Sequence, residues 1–271
     1  MASKASYLPV IIYSLEFHMD PIPRYSRHML LRVIGEDGQR RIEQSRILVA
    51  GLGALGSVAA LLLARAGVGF MRIVDQDAPE LHNLQRQVLY DEADVHRGLS
   101  KAEAAFAHLK AANSSIKIEP VNAEIGPDNV DALVGGVDLV VDALDNTRTR
   151  YLVNDAILTR GIPYVFGGAV ETVGNIMTII PGKTPCLRCL WPNPEAVENH
   201  ARASTVGVLS SGAATVASLQ VTEALKILSG HEDQVLSGLL VLDVWRGCFH
   251  VAPVRRNPQC VCRKFEYATE A

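Results

Sequence analysis

No run of about 18 apolar residues occurs in the 271-residue chain, so no segment has the length and hydropathy of a membrane-spanning helix. Charge of either sign is not in excess. The 26 lysines and arginines stand against 29 aspartates and glutamates, leaving a formal net charge of −3. No basic field is left over to attract nucleic acid, so any anion site must be built locally. Internal repeats, low-complexity tracts and interdomain linkers are also missing. The length allows one large α/β domain or two small ones, and the absence of a linker favours one. A secretion signal is not formed either. Lys4 precedes an apolar stretch over 7–15, but Pro9 breaks it, Glu16 ends it, and no small-x-small cleavage site follows. Residues 1–18 read as an extension ahead of a single domain over 19–271, and the expected compartment is the cytoplasm. Cysteine is scarce: Cys186, Cys189, Cys248, Cys260 and Cys262. An odd number with four in two close pairs favours a reduced compartment and a metal over a disulfide framework.

What is present is a regular alternation of strand and helix patterns. The β-rich run Arg46-Ile-Leu-Val-Ala50 enters Gly51-Leu-Gly-Ala-Leu-Gly56. Helix formers follow over 57–66 until Gly67 and Gly69 stop them, and Phe70-Met-Arg-Ile-Val-Asp75 reads as a second strand. This is a βαβ unit of about 30 residues. Helices are predicted over 101–112 and 148–160, and strands over 116–121, 137–143 and 164–166. Further on, 171–180 reads as a strand bent at Gly174, 181–200 as loop, 211–229 as a long helix, and 239–244 with 248–254 as a hairpin. The fold class that results is α/β: a Rossmann-like, doubly wound, mostly parallel sheet extended by antiparallel strands. Its nucleotide-binding core covers about 44–168.

Gly51, Gly53 and Gly56 form G-x-G-x-x-G between a strand and a helix. The first two glycines permit a tight turn and close approach to a phosphate; the third lets helix and strand pack closely. The helix N-terminus adds free N–H groups and partial positive charge. Asp75 ends the second strand, 19 positions after Gly56, where a carboxylate accepts hydrogen bonds from ribose hydroxyls. These residues alone do not separate a dinucleotide from ATP, and an NAD-dependent oxidoreductase remains a reading. Asn83, Arg86, Lys101 and Arg27 supply the cations and amide that a triphosphate needs. Asp145, followed by Asn146 at the end of a strand, suits Mg²⁺.

Asn83-Leu-Gln-Arg-Gln87, Asp142-Ala-Leu-Asp-Asn146, Pro185-Cys-Leu-Arg-Cys-Leu190 and Leu219-Gln-Val-Thr-Glu-Ala-Leu-Lys226 join the glycine motif and Arg24-Tyr-Ser-Arg27. With them the chain resembles the ubiquitin-activating-enzyme-like adenylyltransferases, most of all the HesA/MoeB/ThiF family that serves molybdopterin and thiamine synthesis. The resemblance implies ATP and Mg²⁺ as cofactors and adenylylation of the C-terminal carboxylate of a ubiquitin-like sulfur-carrier protein ending in Gly-Gly. It places Ala54 of the glycine loop against the nucleotide, Asp75 on the ribose, Asn83, Arg86 and Lys101 on phosphates, and Asp145 on Mg²⁺. Arg27 is implied to reach the neighbouring subunit's triphosphate in a homodimer. A related branch dehydrates a modified tRNA base; the lack of a basic patch weighs against that reading. A nucleotide-binding adaptor without catalysis is a further reading.

The chain departs from the family in three places. The loop between Arg86 and Lys101 is slightly longer than usual, through His96-Arg-Gly-Leu-Ser100. Ala203 stands where many relatives carry cysteine, which implies an external sulfur donor. The last cysteines are spaced C-x-C, not C-x-x-C. Cys186, Cys189, Cys260 and Cys262 together form a candidate Cys₄ zinc site, against a redox pair or idle thiols. The first pair is expected in a loop, the second outside regular structure, and Cys248 in the core.

Overall fold

β1 (Arg46–Ala50), β2 (Phe70–Val74), β3 (Lys117–Val121), β4 (Leu139–Asp142) and β5 (Tyr164–Val170) run parallel in the order β3-β2-β1-β4-β5. β6 (Val173–Ile179), β7 (Leu239–Asp243) and β8 (Cys248–Ala252) continue the sheet with antiparallel pairings to eight strands. This computed structural model describes residues 23–194 and 203–265. The expected extension over 1–18, and residues 195–200 of the expected 181–200 loop, lie outside them.

Among the described residues the helices are α1 (Ser26–Met29), α2 (Gly35–Gln44), α3 (Ala54–Ala66), α4 (Glu92–Arg97), α5 (Lys101–Ala112), α6 (Val130–Val134), α7 (Thr147–Arg160), α8 (Leu187–Leu190), α9 (Ala203–Val206) and α10 (Ser210–Ser229). The strands alternate their burial between two faces. Ile47 and Val49 of β1 join the core under α3, α5 and α10, whereas Leu48 and Ala50 join the core under α6 and α7. That two-sided burial is why β1 and β4 read as nearly continuous apolar runs and not as alternations. Helix ends follow local chemistry. Ser100 and Glu103 form a capping box at the start of α5. Gly67, with φ of 89°, closes α3 in the left-handed conformation.

The expected strand over 164–166 continues to Val170 and turns back at Glu171 (φ 54°) into β6. Gly174 is not a bend: it pairs regularly with Ala169 and Leu242. A Cβ there would come within 2.2 Å of Val216, so glycine is needed to seat α10 on the sheet. The 96–100 stretch is also not loop throughout. His96 and Arg97 finish α4, Gly98 caps it, and Ser100 opens α5.

The expectation that Cys248 is core is corrected, because its thiol is exposed. The alternation of β8 was legible, but β8 is the last strand of the sheet, and its residues 248–251 are all exposed. Cys248→Ser is therefore expected to change unfolding free energy by no more than about 0.5 kcal/mol; urea denaturation checks this.

Candidate active site

β1 is followed by Gly51, whose φ is 91° and where a Cβ would meet the Ala143 carbonyl oxygen at 2.6 Å. Only glycine fits that turn. Gly56 brings α3 down onto it, since a Cβ there would lie 2.0 Å from the Gly51 oxygen. Gly53 differs. Its φ is negative, and a Cβ would meet nothing nearer than the Gln87 side chain at 3.9 Å. Neighbouring atoms do not demand glycine here, so the space in front of it is left for something approaching from outside. Ala54 opens α3, three positions earlier than the expected helix over 57–66, and no side chain caps the helix. Its first-turn N–H groups face the crevice without a side-chain acceptor.

Asp75 follows β2 and holds the glycine turn. Its carboxylate accepts from the Leu52 N–H at 2.7 Å and from the Asp77 N–H at 2.9 Å. Burial pushes its pKa above the ordinary carboxylate value, and Lys101, 3.9 Å away, pulls the other way. Tyr90, which sequence reasoning did not assign, donates its hydroxyl to the Leu52 carbonyl at 3.0 Å. Leu52 is thus fixed at both its amide and its carbonyl. Burial with three nearby carboxylates raises the Tyr90 phenol far above its ordinary pKa, so it remains a donor.

Lys101 sits at the first position of α5, with Nζ 2.8 Å from Asp77 Oδ2 and its side chain nearly covered. Asn83 is buried, and its Oδ1 accepts from the Glu80 N–H at 3.3 Å. Arg86 is half-buried and donates to the His82 carbonyl at 2.8 Å. Asp145 follows β4 and is exposed; among the described residues no ion pair engages it. Asn146 is the N-cap of α7, with Oδ1 accepting from the Thr149 N–H at 2.8 Å, so that residue has a structural task of its own.

β2, β1 and β4 are neighbours in the sheet. The structure therefore brings Asp75, the glycine turn and Asp145 to adjacent carboxyl ends, with Lys101 joined through Asp77. The chain passes from β1 to β2 on one side and reaches β4 on the other. This is the switch point at which open α/β sheets bind ligands.

Arg27 is not brought there. The Tyr25 ring covers Gly67, where a Cβ would come within 2.4 Å of it, and its hydroxyl accepts from Asn113 at 2.8 Å. His28 contacts Gln39 at 3.1 Å, and Gln39 donates to the Ala66 carbonyl at 3.0 Å. These contacts pin α1 to the C-terminal end of α3, about 20 Å from the glycine turn at 1.5 Å per residue. That span is longer than an arginine side chain.

Four sulfurs converge elsewhere. Cys186 and Cys189 lie 4.0 Å apart, Cys186 and Cys260 3.6 Å, and Cys189 and Cys262 3.5 Å. A tetrahedron with Zn–S of about 2.3 Å has sulfur–sulfur edges of about 3.8 Å, so the donor set fits zinc. Cys186 and Cys260 lie outside regular structure, as expected, but the second cysteine of each pair sits in a short helical element. Cys186 caps α8, which contains Cys189, and Cys262 falls within a 3₁₀ turn over Val261–Phe265. One backbone amide ahead of the second pair is aimed at the cluster: the Asn257 N–H donates to the Cys189 sulfur at 3.4 Å. The cluster rests on α7, where Asn154 accepts from the Leu187 N–H at 3.0 Å and Asp155 pairs with Arg188 at 2.7 Å.

The ThiF family matches residues 25–262 of the chain. Over 250 residues the chain is 40% identical to the SAMP-activating enzyme E1 of Haloferax volcanii, covering 92% of each protein. Over 224 residues it is 40% identical to the sulfur carrier protein ThiS adenylyltransferase of Bacillus subtilis, covering 82% of this chain but 65% of that protein. Among solved structures, E. coli MccB with AMPCPP and MccA superposes with a TM-score of 0.77 at 23% identity, covering 89% of this chain and 74% of that one. At that identity the likeness concerns the fold.

Proposed function

The chain belongs to the ThiF family, and on that premise we propose that it is an ATP-dependent adenylyltransferase of a small ubiquitin-like sulfur-carrier protein. The observation that carries the reading is the convergence of the glycine turn, Asp75 and the unpartnered Asp145 at the carboxyl ends of β1, β2 and β4. The names of the two relatives point to the same substrate class.

In the reaction a carboxylate oxygen of the carrier's C-terminal glycine attacks the α-phosphorus of ATP. A new P–O bond forms, the bond to the bridging oxygen breaks, and pyrophosphate leaves with the electron pair. Little covalent work falls to the protein; positioning and charge neutralisation carry the rate. The N–H groups at the start of α3 receive phosphate oxygens, with Gly53 and Ala54 at closest approach. Asp75 takes the ribose, while Asn83, Arg86 and Lys101 line the phosphates. Asp145 would hold Mg²⁺, which would supply neutralisation of phosphate charge there.

Arg27 acts in the site of a second subunit, because its own glycine turn lies beyond its reach. Mixing Arg27→Ala with Asp145→Ala protein tests this. After statistical subunit exchange about one quarter of composite sites in a two-fold dimer carry both residues, so roughly that share of pyrophosphate exchange returns. Mixtures that exchange subunits and stay inactive would refute the assignment. Calorimetry tests the nucleotide itself: ATP with Mg²⁺ binds, and tighter binding of NAD would revive the oxidoreductase reading.

The acyl adenylate passes to an external sulfur donor. Position 203 is alanine, and four of the five thiols point at one another. Cys248 lies on β8, four strands from β4, about 19 Å away at 4.8 Å per strand. No carrier–enzyme adduct is therefore expected on a non-reducing gel; one mapped to any cysteine would overturn this step.

A further inference from the structure

Asp142 is a charged residue with no exposure, at the last position of β4. Its Oδ1 accepts from the Leu144 N–H at 2.8 Å, and its Oδ2 lies 3.1 Å from Arg150 Nε. Arg150 then reaches back along α7. Its Nη2 donates to the Leu144 carbonyl and, at 2.9 Å, to the Gly167 carbonyl, while its guanidinium lies 5.0 Å from the centre of the Phe166 ring. One ion pair thus holds Leu144 at both its amide and its carbonyl.

A second group works from behind. β4 pairs with β5 only at Val140 with Tyr164 and Val141 with Val165. Where that pairing stops, the buried Gln220 of α10 donates one amide nitrogen to the Asp142 carbonyl at 2.7 Å and to the Val165 carbonyl at 3.1 Å. Gly167 makes room for it, since a Cβ there would come within 2.3 Å of the Gln220 amide. Asp145 therefore follows a residue clamped on both sides and precedes Asn146, the cap of α7. A buried ion pair is weak as a source of stability. It is effective at fixing the geometry of a neighbouring functional group.

We propose that Asp142, Arg150 and Gln220 are positioning residues for adenylyl transfer, holding the Leu144 peptide so that the Asp145 carboxylate is presented at one place over the switch point. The inference rests on the reading of Asp145 given above. Arg150→Lys keeps a cation beside Asp142 but loses the planar fork that donates to the Leu144 and Gly167 carbonyls while facing Asp142.

The test is ATP–pyrophosphate exchange on the full-length protein, titrated with Mg²⁺, for Arg150→Lys, Asp145→Asn and the double variant, with folding followed by circular dichroism. Displacing the carboxylate by a fraction of an ångström to about 1 Å is expected to lower the exchange rate about tenfold to a hundredfold. The Mg²⁺ concentration for half-maximal exchange should rise about tenfold. ATP affinity without Mg²⁺ should stay within about threefold, because the fork touches no nucleotide-facing group. In the Asp145→Asn background, Arg150→Lys should add less than about a twofold effect. Gln220→Met gives the same shifts, smaller, and serves if Arg150→Lys fails to fold. An unchanged Mg²⁺ midpoint in both variants, or an undiminished effect of Arg150→Lys in the Asp145→Asn background, would overturn the inference alone. Near-normal exchange by Asp145→Asn itself would overturn the reading of Asp145 and this inference with it.

Discussion

Asp145→Ala is expected to lower pyrophosphate exchange by on the order of a hundredfold or more while leaving the fold intact. The two halves of that expectation come from different observations. The side chain is exposed, no ion pair holds it, and it lies outside both core clusters. Surface substitutions of that kind usually change stability by less than about 0.5 kcal/mol. The rate should nevertheless fall, because a carboxylate at the end of β4, beside the glycine turn, is placed to bring a cation to the phosphates. Asp142, three residues earlier, is the contrast: it is fully buried, and burial pushes its carboxyl above the ordinary range against the pull of Arg150. Removing Asp142 would leave the half-buried Arg150 guanidinium without its carboxylate, so a lost activity there would not separate folding from chemistry. Exchange assays on Asp145→Ala protein with a wild-type urea midpoint make the measurement clean. Retention of near-normal exchange would refute the Mg²⁺ role.

The parts of this molecule that were legible in the sequence are those whose cause is local. Gly51 and Gly56 announce themselves because the turn and the strand–helix approach admit no Cβ. The start of α5 at Lys101 was readable because Ser100 and Glu103 carry the cap in four residues. The parts that were missed depend on residues far apart in sequence. Cys248 alternates like a core strand residue, but burial is decided by what covers β8, and nothing among the described residues does. Arg150 and Gln220 lie on helices that read as ordinary; their importance appears only when Asp142, Leu144 and Gly167 come together between them. The hairpin at Glu171 was hidden because its turn carries neither glycine nor asparagine at the positive-φ position.

Zinc removal is expected to have the largest effect on stability. Purified protein should contain about one zinc per chain, since four thiolates close a tetrahedral site and leave no open position for catalysis. The four cysteines join segments more than 70 residues apart in sequence, Cys186 and Cys189 on one side and Cys260 and Cys262 on the other. Burial raises the Cys186 thiol far above its ordinary pKa, and burial with neighbouring sulfurs pushes Cys262 up to about 12. Without a metal the Cys186 and Cys262 thiols stay protonated, and little holds the two segments in contact. With zinc they are thiolates bound to one centre, and the binding free energy adds to that of folding. Chelation, or Cys186→Ser, should therefore lower the unfolding free energy by several kcal/mol. The site contacts α7 at Asn154, about 12 Å along the helix from Asn146. Molecules that remain folded should accordingly keep their pyrophosphate exchange. Elemental analysis, urea denaturation with and without chelator, and exchange normalised to folded protein check the three parts separately. A zinc-free preparation of full stability would remove the structural role, and exchange that vanishes with the metal while the fold persists would make the site catalytic.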